Sequence, residues 1–98
     1  MPIEMTATPL PDLVLYTRPG CALCDEARET LQALLEDRAA RRQPLARLKV
    51  RDISSDPSLE RELFDRIPVV ELNGRRLELA ISISRMRRFL ATGLDVLA

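Results

Sequence analysis

The chain contains no histidine. A closed tetrahedral zinc centre within one subunit therefore lacks its usual cysteine–histidine donor set. Net charge is missing too, because 15 Lys plus Arg balance 15 Asp plus Glu. With no overall field, nothing draws the chain to nucleic acid or to an anionic membrane surface. Tryptophan is absent and the aromatics are one tyrosine and two phenylalanines. The basic stretch "RRLELAISISRMRR" thus offers little to stack on bases, and it reads as a solvated helix face. No apolar run approaches the roughly 18–20 residues that span a bilayer. The opening "MPIEMTATPLPD" has neither a basic start nor a continuous apolar segment, which argues against a signal peptide and for the cytosol.

No internal repeat, low-complexity tract or linker divides the sequence, and 98 residues suit one domain. The expectation is a single domain over residues 1–98, with 46% apolar residues for one modest core and 31% charged residues to cover it. Residues 1–12 hold three of the seven prolines and are expected to form an extended arm.

"LVLYT" (13–17) is short, apolar and β-prone, and reads as a buried strand that Pro19 and Gly20 end. From Cys21 to about Ala40 there is neither proline nor glycine. Cys24, Ala27, Leu31, Leu34 and Leu35 recur there at helical spacing. Arg41 to Pro44 form a polar break. A second strand lies within "LARLKVRDI" (45–53), with Leu48, Val50 and Ile53 as one apolar set. "SSDPSLERELFDRI" is a helix capped by Asp56 with Pro57 at its first position, and Leu59, Leu63 and Phe64 are its expected inner face. Asn73-Gly74 in "PVVELNGRRLELA" marks a hairpin. "SISRMRRFLATG" is a last helix, capped by Ser82 or Ser84 and ended by Gly93, with Ile83, Met86, Phe89 and Leu90 turned inward. The order is β-α-β-α-β-β-α. A parallel first pair of strands plus the hairpin predicts a four-stranded mixed α/β sheet with helices on both faces.

The only two cysteines, Cys21 and Cys24, stand three apart at the expected start of the first helix. Unpaired N–H groups and the helix dipole favour negative charge there, which stabilises a Cys21 thiolate. Spacing of i, i+3 brings both sulfurs to one side of the first turn. Cys21 is thus the candidate nucleophile toward a disulfide, and Cys24 the more buried resolving thiol. Arg18 would add to the stabilisation, and the first-turn acids Asp25 and Glu26 would oppose it. In a reducing compartment such a pair is redox-active or metal-binding before it is a staple. It closes too short a loop to stabilise much. The bland alternative is two small buried hydrophobes. Proline at the opening of the third strand, in "RIPVVEL", is the second signal. The residues alone favour an ordinary trans bond, since cis occurs in about 5–6% of X–Pro bonds.

Strand, turn, Cys-x-x-C at a helix start and X-Pro before a hairpin together resemble the thioredoxin superfamily, and its glutaredoxin-like branch most closely. "LYTRPGCALCDEAR", the "DISSD" segment and the hydrophobic-Pro-Val strand are similar to a small bacterial glutaredoxin-like family over about residues 13–92. The resemblance implies a thioredoxin-like fold and thiol–disulfide exchange. It makes Cys21 the attacking and Cys24 the resolving thiol, and Ile67-Pro68 a cis-proline element that binds substrate backbone. It puts Arg18 where a basic residue meets glutathione's carboxylate, with Tyr16 at the strand end below. Implied partners are a disulfide-containing protein or small thiol, with a reductase or glutathione as electron donor. No bound cofactor is implied, and the chain is expected to act as a monomer.

Departures bear on the donor. Ala22-Leu23 replaces the Pro-Tyr of ordinary glutaredoxins, and thioredoxin's Trp-Cys-Gly-Pro-Cys is absent. "ELAISISR" lacks the Gly-Gly turn and acidic pair that hold the amine end of glutathione. These put glutathione, although not disulfide exchange, in question. Rival readings are zinc or an iron–sulfur cluster shared between two subunits through four thiolates, a Cu(I) site, and a peptide-binding adaptor of the same fold. A copper chaperone would run β-α-β-β-α-β with a methionine before the cysteines, and this chain does neither. Asp56 is explained as a cap and Asp65 as helix surface, and Asp52 at a strand end stays open.

Overall fold

The structure, a computed structural model, describes residues 9–95. The expected arm falls mostly outside these, and the first strand already begins at Asp12. Four strands and three helices follow in the expected order: β1 (Asp12–Thr17), α1 (Ala22–Ala40), β2 (Arg47–Asp52), α2 (Pro57–Leu63), β3 (Val69–Leu72), β4 (Arg75–Leu77) and α3 (Ile83–Leu94). A short 3-10 turn, Ile53–Ser55, sits between β2 and α2. The sheet order is β2-β1-β3-β4. β1 runs parallel to β2 and antiparallel to β3, and β4 is antiparallel to β3.

Between Asp12 and Thr17 the residues of β1 are apolar or aromatic, because the strand lies at the centre of the sheet with a layer on each face. On one face Leu13, Leu15, Val70 and Leu72 pack against Ala27, Leu31 and Leu34 of α1 and Met86 and Leu90 of α3. On the other, Tyr16 and Val69 pack against Ile53 and Leu63, with Val14, Leu59 and Ile67 around them. The far ends of α1 and α3 are tied by the buried Arg38. Its Nε donates to the Pro44 carbonyl at 2.8 Å, and its guanidinium pairs with the Asp95 carboxylate.

Several single-residue expectations are corrected. Val50 is exposed rather than buried, because β2 is an edge strand with a neighbour on one side only. Ile53 lies not with Leu48 but in the second core, since the chain turns into the 3-10 segment there. Phe64 and Ile83, expected to face inward, are exposed. α2 ends at Leu63, and Phe64 is its C-cap, still in helical conformation but on the solvent side of the last turn. Ile83 is the first helical residue after the Ser82 cap, beyond the reach of the core. Gly93 does not end α3, which continues to Leu94. It is small because a Cβ there would stand 2.6 Å from Leu72 Cδ2. Among the described residues, no helix is long and apolar enough to cross a membrane.

Candidate redox site

Register brings the site together. Thr17 pairs with Asp52, and Tyr16 with Val69, so the ends of β1 and β2 and the start of β3 share one end of the sheet. The loop leading to the cysteines leaves from that end, and Ile67-Pro68 enters there. Gly20 turns the loop with φ 77°, a conformation that costs glycine little. The Ile67–Pro68 bond is cis, and Pro68 is fully buried.

Cys21 is the N-cap of α1, in extended conformation. Its Sγ accepts the Cys24 backbone N–H at 3.1 Å. This is the position at which Ser or Asp ordinarily satisfies a free amide of the first turn. Here a sulfur takes the role, so the Cys24 amide is aimed at it. Cys21 is half-buried, whereas Cys24 is 1% exposed. The two are joined as a disulfide with their Cα atoms 5.2 Å apart.

Arg18 is exposed, with Nη2 3.8 Å from Glu60 Oε2. With Pro57, Glu60, Arg61 and Phe64 it lines a shallow concavity beside the loop. A larger hollow between α1 and α3, around Thr30, Leu34, Arg38 and Leu90, includes neither sulfur. Asp52 caps the 3-10 turn. The Ser54 hydroxyl at 2.6 Å, and then its backbone N–H at 2.8 Å, hold the Asp52 carboxyl below the usual range, with a weaker contribution from the Arg18 charge. Asp56 caps α2 by accepting the Ser58 and Leu59 amides. Both acids of "DISSD" thus have local structural work.

Tyr16 lies in the packed layer beneath the loop, 7% exposed. Its hydroxyl donates to Glu71 Oε1 at 2.7 Å. Arg76 completes the group: Nε donates to Glu71 at 3.3 Å, Nη1 to Glu62 at 2.7 Å, and the guanidinium stands 5.7 Å from the Tyr16 ring centre. Burial, and then the Glu71 carboxylate, raise the Tyr16 pKa above that of a free phenol. The contact to Glu62 chiefly raises that of Arg76. Sequence reasoning missed Glu62, Glu71 and Arg76, because each belongs to a different element and no local pattern joins them. Among the described residues, no group of three or more His, Cys, Asp or Glu side chains converges as a metal site would require.

The family described as glutaredoxin-like domain (DUF836) matches residues 12–91. Protein XcR50 from X. campestris, solved by X-ray crystallography, is 31% identical, with a TM-score of 0.66 over 82% of this chain and 96% of that one. Protein Ne2328 from Nitrosomonas europaea is 24% identical, with a TM-score of 0.64 over 89% of this chain and 98% of its own, a likeness of fold. No curated protein matches the chain.

Proposed function

The chain belongs to the glutaredoxin-like domain family and has a thioredoxin-like fold; from that premise we propose that it is a thiol–disulfide oxidoreductase working through Cys21 and Cys24. The observation that carries this reading is the N-cap sulfur of Cys21, aimed at by the Cys24 amide while Cys24 itself is buried. In the reduced protein the same amide and helix dipole would favour a Cys21 thiolate.

The thiolate attacks one sulfur of a substrate disulfide. A Cys21–substrate mixed disulfide forms, and the other substrate sulfur leaves as a thiolate that takes up a proton. Cys24, having lost its proton, then attacks Cys21 Sγ. The Cys21–Cys24 disulfide forms and the second substrate thiol is released. The protein gives up two electrons and the Cys24 proton; with one further proton from solvent, where the Cys21 proton had already gone, the substrate disulfide becomes two thiols. A reductase or small thiol restores the dithiol, and a reducing compartment such as the cytosol fits that cycle. In this reading Arg18 and the Ile67-Pro68 bend bound the approach to Cys21, and Tyr16 positions the strand end beneath them. The segment 78–85 lacks the Gly-Gly turn and acidic pair, which weighs against glutathione as the donor.

The test is redox equilibration of metal-free protein across glutathione buffers, with free thiols alkylated and weighed. An intramolecular disulfide titrating between about −120 and −270 mV is expected. Cys21→Ser should abolish disulfide reduction, and Cys24→Ser should accumulate a mixed disulfide. Thiols that stay reduced throughout, or take up glutathione only singly, would overturn the reading. Faster alkylation of Cys24 than of Cys21 would reverse the assigned roles.

A further inference from the structure

The arginine-rich stretch at 75–88 divides on folding. Strand alternation sends Arg76 to the face that holds Tyr16 and Glu71, and leaves Arg75 and Leu77 on the face that α3 covers. From α3 come Arg85, Arg88, Phe89 and Thr92, spaced three and four apart along one side of the helix. These six residues line a hollow of about 170 Å³ between the edge strand β4 and α3. Leu77 and Phe89, partly buried against the main core, form its apolar floor, and the three arginines are exposed around them. Arg87, on another side of the helix, lines the hollow between α1 and α3 instead.

Charge sets this hollow apart. The concavity beside the cysteine loop includes Glu60, and the one between α1 and α3 includes Asp37 and Asp95. The hollow at β4 is lined by three guanidinium groups and no carboxylate. Among the described residues, Arg75, Arg85 and Arg88 enter no ion pair, whereas Arg18, Arg38, Arg66 and Arg76 all do. Like charges three or four positions apart, as at Arg85 and Arg88, weaken a helix slightly. One charge on β4 would be enough to guard the sheet edge against pairing, and that does not account for the two on α3.

We propose that Arg75, Arg85 and Arg88 form a docking surface for an acidic segment of a partner protein. Its carboxylates meet the arginines, and an apolar side chain between them rests on Leu77 and Phe89. Arginine suits this role because its planar fork takes a carboxylate through two hydrogen bonds. The hollow has room for side chains of a larger partner rather than for a whole small molecule, whose sites run to about 300–1,000 Å³. A nucleic-acid strand would need aromatic faces to stack on, and the hollow offers the half-buried Phe89 alone. The surface binds and does no chemistry, so it stands whether or not the dithiol is active.

The probe is a fluorescein-labelled peptide of aspartate and glutamate interrupted by two leucines, read by fluorescence anisotropy with the full chain. Wild type should bind it in low salt and release it at about 1 M salt, where the Debye length falls to about 3 Å. Arg85→Gln and Arg88→Gln change exposed side chains, so both variants should fold as wild type does. Each should weaken binding about threefold and the pair together about tenfold, as expected of exposed ion pairs. Arg87→Gln removes the same charge from the same helix but outside the hollow, and should leave binding unchanged. Equal losses in Arg87→Gln and Arg85→Gln would reveal a diffuse charge effect and overturn the proposal. Equal binding of a peptide with asparagine and glutamine in place of its acids would do the same. Displacement by millimolar inorganic phosphate at fixed ionic strength, or tighter binding of a single-stranded oligonucleotide of equal charge, would assign the surface to phosphate instead. No binding of the acidic peptide in low salt refutes the proposal outright.

Discussion

Replacing Tyr16 with phenylalanine removes one oxygen from the layer beneath the cysteine loop and leaves the ring, its packing and its contact with Arg76 in place. What is lost is the 2.7 Å hydrogen bond to Glu71. A hydrogen bond to a charged group contributes about 1.5–3 kcal/mol when well shielded. Glu71 is partly exposed and keeps Arg76 as a partner, which brings the contribution below that range, to about 1 kcal/mol. For a domain of this size that lowers the melting midpoint by roughly 4–8 °C. The effect must also depend on pH. Folding raises the Tyr16 pKa, so the folded protein holds a proton that the unfolded chain releases near pH 10. The stabilisation is therefore whole below about pH 10, and it disappears as pH rises through the folded-state value. Urea titrations of both proteins, at neutral pH and in steps above pH 10, should show a constant gap that then closes. Because Tyr16 is the only tyrosine and tryptophan is absent, phenolate absorbance reports its folded-state titration directly. Equal stability at neutral pH, a gap that widens in alkali, or a phenolate midpoint at or below that of free tyrosine would refute the reasoning.

Gly93→Ala should fail to stabilise α3. The gain in helix propensity is about 1 kcal/mol, but the new Cβ meets Leu72 Cδ2 at 2.6 Å, and crowding a packed leucine costs about 1–3 kcal/mol. A net loss of up to about 2 kcal/mol in urea unfolding is expected, and a clear gain would show that Leu72 yields freely. Asp52→Asn should destabilise the protein at neutral pH. The Asp52 carboxyl is held low in the folded state, so its contribution is present above about pH 4 and lost as pH falls through the folded-state value. The difference between the two proteins should vanish in acid. A difference that persists there would mean that the side chain acts by shape rather than by charge.

Much of this protein is decided within short stretches of chain. The apolar run ending at Thr17, the caps at Asp56 and Ser82, the Asn73-Gly74 turn and the proline-free helix after Cys21 each follow from local conformational preference, and together they set the element order. The same local logic puts Cys21 on a helix N-terminus, since the cap and the amide it receives lie within four consecutive residues. Tertiary structure alone decided what depends on neighbours far along the chain. Val50 is exposed because nothing among the described residues flanks β2 on its outer side, and Phe64 because it falls on the solvent side of the last turn of α2. Gly93 is small because of Leu72, twenty-one positions away. The Tyr16, Glu62, Glu71 and Arg76 group takes its members from β1, α2, β3 and β4, and Leu79 turns outward because its neighbour Ala80 is bonded to Pro68. Backbone preference acts over a few residues, whereas burial and pairing are settled only once the sheet has formed. The sequence by itself therefore located the sulfurs, and only the folded chain determined which side chains surround them.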